Sequence, residues 1–168
     1  LYNDISGTLL GFIGNGNSNK IYKQSNYSCI VNGNINYIND SINSFIGSGG
    51  QNKIILSNYT FIGGGDSNII NNNSDNSTIV GGISNDISGT LVGFIGNGES
   101  NKIHGPSDHS CIVNGTNNYI NNSIKSFIGS GAQNKIISSK NSFISGGNNN
   151  TINNDSDYST IVGGISND

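Results

Sequence analysis

Apolar and polar residues follow a fixed rhythm along this chain: two isoleucines eight residues apart, enclosing a glycine and an asparagine, return every 16 or 17 residues. Residues 45–54, Phe45-Ile46-Gly47-Ser48-Gly49-Gly50-Gln51-Asn52-Lys53-Ile54, show the unit, and ten copies fill the sequence. With the Phe numbered as position 1, position 2 is Ile, position 5 is Gly and position 8 is Asn in every copy; position 10 is Ile in each copy that reaches it. No 3.6-residue apolar stripe is present, and Ile, Phe, Val and Thr flank Gly, Asn and Ser, so the pattern predicts short strands joined by tight turns. Two strands and two turns per 16 or 17 residues describe one coil of a parallel β-solenoid, an all-β β-roll or β-helix of about ten coils.

Stacking places equivalent residues above one another at about 4.8 Å per coil, giving a rod on the order of 50 Å long. Position 2 (Ile13, Ile30, Ile46, Ile62, Ile79, Ile95, Ile112, Ile128, Ile144, Ile161) and position 10 (Ile21, Ile38, Ile54, Ile70, Ile87, Ile103, Ile120, Ile136, Ile152) are expected to form two core ladders. Position 8 (Asn19, Asn36, Asn52, Asn68, Asn85, Asn101, Asn118, Asn134, Asn150, Asn167) is expected to form a ladder of amides, each donating to the next. Glycine at position 5 answers a turn conformation that other residues resist.

Position 1 carries Phe12, Cys29, Phe45, Phe61, Thr78, Phe94, Cys111, Phe127, Phe143 and Thr160, which takes in every Phe and Cys of the chain. It points away from position 2 and shares its face with position 3. Sizes compensate between the two: Phe is followed by Gly or Ser at position 3, and Cys or Thr by Val. Volume matching of this kind and an unbroken apolar stripe both suggest a covered face, and the expected cover is the same face of neighbouring copies. Positions 9 and 11 are mostly polar, so the other sheet should face water.

The spacing of starts, 17, 16, 16, 17 and 16, then begins again, which makes a longer repeat of 82 residues. Residues 1–168 read as one array, with units 1–82 and 83–164 and a third starting at 165–168. The expectation is a window of a longer array.

An x-Ile-x-Gly-Gly turn beside an inner apolar ladder, as in Ser44-Phe45-Ile46-Gly47-Ser48-Gly49 and Ser159-Thr160-Ile161-Val162-Gly163-Gly164, resembles the head repeats of trimeric autotransporter adhesins. That resemblance implies a parallel β-roll, side-by-side association of three chains and a surface that meets host matrix or cells. A weaker likeness is to curli-type stacked-repeat amyloid subunits.

Composition narrows the function. Charged residues are 10%, the net charge is −3, and the seven cationic side chains supply no basic patch interleaved with aromatics, so nucleic acid is not an expected partner. No apolar run reaches membrane-spanning length. His104, Asp108 and His109 share one spacer, but the matching spacer at 22–28 contains no His, so a solvated turn is expected rather than a metal site. Gly63-Gly64-Gly65-Asp66 resembles calcium-binding β-roll coils, yet the carboxylate does not recur in successive coils. No cofactor is expected, and no nucleophile–base arrangement recurs with the array. Cys29 and Cys111 lie five coils, about 24 Å, apart, beyond the roughly 7 Å Cα limit for a disulfide. They read as small apolar residues, or as partners of cysteines in neighbouring chains.

The expected role is a structural, self-associating segment of an extracellular or particle-surface fibre without catalytic activity, partnered by copies of itself. The alternative is an adhesin head for a host-surface ligand, with the spacer at 103–110 as the candidate loop.

Overall fold

The computed structural model describes residues 2–168. Among them, twenty strands form two ten-stranded parallel sheets, and there is no helix. Sheet A starts at Asp4–Ser6 and Lys20–Tyr22 and ends at Thr151–Ile152; it uses positions 9 to 11. Sheet B starts at Phe12–Ile13 and Cys29–Ile30 and ends at Thr160–Ile161; it uses positions 1 and 2. Each strand pairs with its equivalent one coil away, as in Phe45↔Phe61 and Lys53↔Ile69, so register is kept across 16- and 17-residue coils alike. A third column of parallel bridges joins position 6 from coil to coil, from Asn17↔Asn34 to Asn148↔Ile165. The chain is a β-solenoid of about ten coils.

The two Ile ladders face each other inside the coil. Ile30 to Ile144 of position 2 and Ile21 to Ile136 of position 10 are fully buried, and Ile152 is nearly so. Ile13 and Ile161 pack against this core but are only partly buried, because each lies in an end coil with a neighbour on one side. Removing a side chain of this size from water contributes about 1.5–3 kcal/mol, so the stack stabilises each coil in proportion to its neighbours.

Among the described residues, buried polar residues outnumber the buried isoleucines, 25 against 17. The Asn ladder is buried from Asn19 to Asn150. Direct amide-to-amide contacts occur, as between Asn68 Nδ2 and Asn52 Oδ1 at 3.2 Å. The bonds that every ladder Asn makes, however, are to main chain. Asn68 Nδ2 donates to the Gly64 carbonyl at 3.0 Å within its own turn and to the Gly82 carbonyl at 2.9 Å in the next coil. Its Oδ1 accepts the N–H of Asn85 at 3.1 Å. The amide column therefore serves chiefly to satisfy the backbone of the glycine turn, which would otherwise be buried without partners.

Two further buried columns are made of hydroxyls. Numbering backwards from position 1, the residue immediately before it is Ser28, Ser44, Thr60, Ser77, Ser110, Ser126 and Ser142, and the residue four before it is Ser25, Ser41, Ser57, Ser74, Thr90, Ser107, Ser123 and Ser139. In the first column the serine hydroxyls donate to the next coil and accept from it: Ser28 Oγ donates to the Ser41 carbonyl at 2.7 Å, and Ser44 N–H donates to Ser28 Oγ at 3.0 Å; Thr60 instead donates back to Ser44 Oγ at 3.0 Å. In the second, Ser41 Oγ donates to the Asn39 carbonyl at 2.8 Å and accepts from Ser57 N–H at 3.1 Å. These hydroxyls line the second turn as the Asn ladder lines the first.

Hydrogen bonds between coils run in two directions. Alternate strand residues donate forward, as Phe61 N–H does to the Ser77 carbonyl at 3.1 Å. Corner residues donate backward, as Ile35 N–H does to the Asn17 carbonyl and Val92 N–H to the Asp75 carbonyl. The backward donors are left-handed, with φ of 60° at Ile35 and 57° at Val92, and the same conformation recurs at the equivalent corners of other coils. A left-handed non-glycine residue costs about 1–2 kcal/mol, and the hydrogen bond that each corner N–H makes to the preceding coil, typically about 0.5–1.5 kcal/mol, offsets part of that cost.

Position 5 is the corner where glycine is required. Its φ is +87° at Gly65, and an added Cβ would collide with the Gly82 carbonyl oxygen of the next coil. The extra residue of the 17-residue coils sits in the other turn. Pro106, the one proline, occupies that place beside left-handed Gly105 and brings no N–H that would need a partner.

Candidate interaction faces

Sheet B presents position 1 outward. Phe12, Phe61, Phe94, Phe143 and Thr160 are exposed, whereas Cys29, Phe45, Thr78, Cys111 and Phe127 are half-buried. Neighbouring rings stack where Phe follows Phe: Phe45 and Phe61 lie 5.3 Å apart with planes within 3° of parallel, and Phe127 and Phe143 lie 5.0 Å apart within 6°. Val31, Val80 and Val113 at position 3 are exposed on the same face. Together these side chains make an apolar stripe along the solenoid.

The size compensation between positions 1 and 3 has a cause within the chain. Where Phe is followed by Gly at position 3, the next coil closes on that Gly: a Cβ on Gly63 would collide with the Val80 carbonyl oxygen and one on Gly47 with the Gly63 carbonyl oxygen, with the Phe61 and Phe45 rings further off, at 3.2 Å and 3.4 Å. Where position 1 shrinks to Cys or Thr, Val fills the space. A neighbouring chain is not needed to explain that pattern, so the exposure of the stripe, rather than its volume matching, is what bears on association.

Cys29 lies between Phe12 and Phe45 in the sheet, and Cys111 between Phe94 and Phe127. Both are free thiols, and burial pushes both up from the ordinary thiol value. Such thiols are poor nucleophiles at neutral pH.

Sheet A carries the polar face. Position 9 reads Asp4, Lys20, Tyr37, Lys53, Ile69 and then, one 82-residue repeat later, Asp86, Lys102, Tyr119, Lys135, Thr151. Tyr22 Oη donates to Asp4 at 2.6 Å, and His104 takes the same place against Asp86 at 2.8 Å. This hydrogen bond to the Asp4 carboxylate raises the Tyr22 pKa. Tyr22 meets Tyr37 edge-on at 5.8 Å, and His104 meets Tyr119 edge-on at 5.7 Å.

The spacer at 103–110 is built like the others. Ser107 and Ser110 belong to the buried hydroxyl columns, Asp108 Oδ1 accepts the Leu91 N–H at 2.8 Å, and Thr90 Oγ1 donates to the Gly105 carbonyl at 2.7 Å. His104 is engaged with Asp86, Asp108 with the backbone, and His109 occupies an exposed left-handed corner. Among the described residues, no three His, Cys, Asp or Glu side chains converge as metal ligands would. The recurrence of Ser or Thr at both hydroxyl positions is visible in the sequence of nearly every coil, but polar residues beside turns give no hint of burial, so the columns themselves were missed. No protein-family model and no curated protein matches the chain.

Proposed function

We propose that this chain is a structural, self-associating segment of an extracellular or particle-surface fibre. Stacked hydrogen-bonded coils supply stiffness, and the sheet B stripe joins copies side by side. The observation that carries the reading is exposure: Phe12, Phe61, Phe94 and Phe143 are between 36% and 56% accessible on a single chain. A continuous apolar stripe on that scale exceeds what a soluble monomer normally leaves in water, and straight rods with identical faces can cover it along their whole length. No catalytic role is proposed. The resemblance to adhesin heads supports a trimeric form of the same assembly.

The test is sedimentation velocity and electron microscopy of the chain beside a variant with Phe45, Phe61, Phe127 and Phe143 replaced by Ser. The variant should be monomeric and keep a β-sheet circular dichroism spectrum, while the parent forms laterally joined rods. Unchanged association of a folded variant would remove sheet B as the interface.

A further inference from the structure

Sheet A carries a second surface, unrelated to lateral association, that is duplicated with the 82-residue repeat. Lys20 pairs with Tyr37 and Tyr37 with Lys53 in register, and Lys102, Tyr119 and Lys135 do the same. Each tyrosine is thus bracketed along the axis by a lysine on either side. All four lysines are exposed and both tyrosines half-buried. Among the described residues none of these lysines forms an ion pair, in contrast to Lys23, which meets Asp40 at 3.1 Å. A groove opens at each copy: one of about 580 Å³ along Lys20, Tyr22, Tyr37 and Lys53, and one of about 290 Å³ along Lys102, His104 and Tyr119. Four of the chain's seven cationic side chains are spent on these two places, although the chain as a whole is negative.

We infer that the two Lys-Tyr-Lys ladders form paired subsites for a linear acidic saccharide lying along the solenoid. The chemistry follows from the bracket. A sugar ring offers C–H groups to an aromatic side chain, and its carboxylate or sulfate offers charge to an ammonium on either side. Tyr22 and His104 each engage one oxygen of Asp4 and Asp86, the acids in register beside Lys20 and Lys102, and lie edge-on to Tyr37 and Tyr119, which fixes the platform. Five coils separate the subsites, about 24 Å at the usual strand spacing, so a polymer that engages one reaches the next without leaving the face. Two weak sites then act together through effective concentration. Register thus alternates lysine with tyrosine where separate sequence positions suggested no such patch, yet a nucleic acid is less suited, because each ladder holds one tyrosine rather than the run of aromatic faces on which successive bases stack.

The experiment measures binding of a heparin-derived oligosaccharide and a hyaluronan oligosaccharide to the intact chain, with neutral dextran and single-stranded oligothymidylate as comparisons. Saturable binding to at least one acidic saccharide, weakened by added salt, is the expected result. Replacing Lys20 and Lys53 by Gln, or Lys102 and Lys135 by Gln, removes one subsite and should weaken binding about tenfold through lost bivalency. Replacing Lys125 and Lys140 by Gln makes the same change in net charge away from sheet A and should leave affinity within about twofold. Tyr37→Leu with Tyr119→Leu keeps charge and strand propensity and should weaken binding severalfold; circular dichroism verifies that each variant is folded. The proposal is overturned by equal losses in the Lys125 and Lys140 variant, by oligothymidylate binding as tightly as the saccharides, or by no saturable binding to any acidic saccharide.

Discussion

The main-chain N–H of Asn85 donates to the side-chain Oδ1 of Asn68, one coil earlier, at 3.1 Å. Asn68 also holds the carbonyls of Gly64 and Gly82, so one side chain ties together its own turn and the next. Replacing it by Ala leaves the buried Asn85 N–H and Gly64 carbonyl unsatisfied, while the Gly82 carbonyl keeps only the Asp66 N–H. Asn68→Ala should destabilise the chain by roughly 2–4 kcal/mol, read as a fall in urea midpoint. Asn167→Ala, in the exposed last coil, should cost well under 1 kcal/mol, and equal losses at both sites would contradict the account.

Two corners hold β-branched residues in a left-handed conformation, which is the setting those residues resist most. Other coils place Asn at the equivalent corners, such as Asn117 for Ile35 and Asn76 for Val92. The backward hydrogen bond uses only the main chain and survives a change of side chain. Ile35→Asn and Val92→Asn should therefore each stabilise by about 1 kcal/mol, seen as a rise of a few degrees in melting temperature.

Burial raises the Cys111 thiol from its ordinary value of 9.0. The folded chain keeps this proton to higher pH than the unfolded chain does, so the stabilisation is complete below the unfolded value and is lost as pH rises through the folded one. Thr78 and Thr160 occupy the same ladder position, which makes Cys111→Thr the natural comparison. Between pH 7 and pH 10 the parent should lose more thermal stability than this variant. A parallel decline in both would show that the thiol is not responsible. Alkylation of Cys111 should likewise be slow at neutral pH and accelerate only above the ordinary thiol range.

The fold was legible because the solenoid repeats one solution many times. Ile46 and Ile54 announce two strands, Gly49 a turn that only glycine fits, and Asn52 a column. The hydroxyl columns were not legible: Ser44 and Ser57 have the composition of a wet loop, and only stacking reveals that each hydroxyl is enclosed by coils above and below. The reason for Gly63 opposite Phe61 was also hidden, because sequence spacing shows that two sizes vary together but not whether the next coil of the same chain or another chain closes on the glycine. The Lys20, Tyr37 and Lys53 ladder was present as separate polar positions; register turned it into a surface.

The opposed directions of the inter-coil hydrogen bonds have a consequence for growth. Each coil edge carries strand N–H and C=O groups in alternation, so strands alone would accept a copy in either direction. The buried columns would not: Asn68 Nδ2 donates to the Gly82 carbonyl of the next coil while its Oδ1 accepts the Asn85 N–H, and Ser28 Oγ donates to the Ser41 carbonyl. A copy stacked in the same direction continues these bonds, and one stacked end over end breaks them. Any polymer that lengthens through its coil edges is therefore driven to be vectorial, with every subunit pointing the same way and two chemically distinct tips.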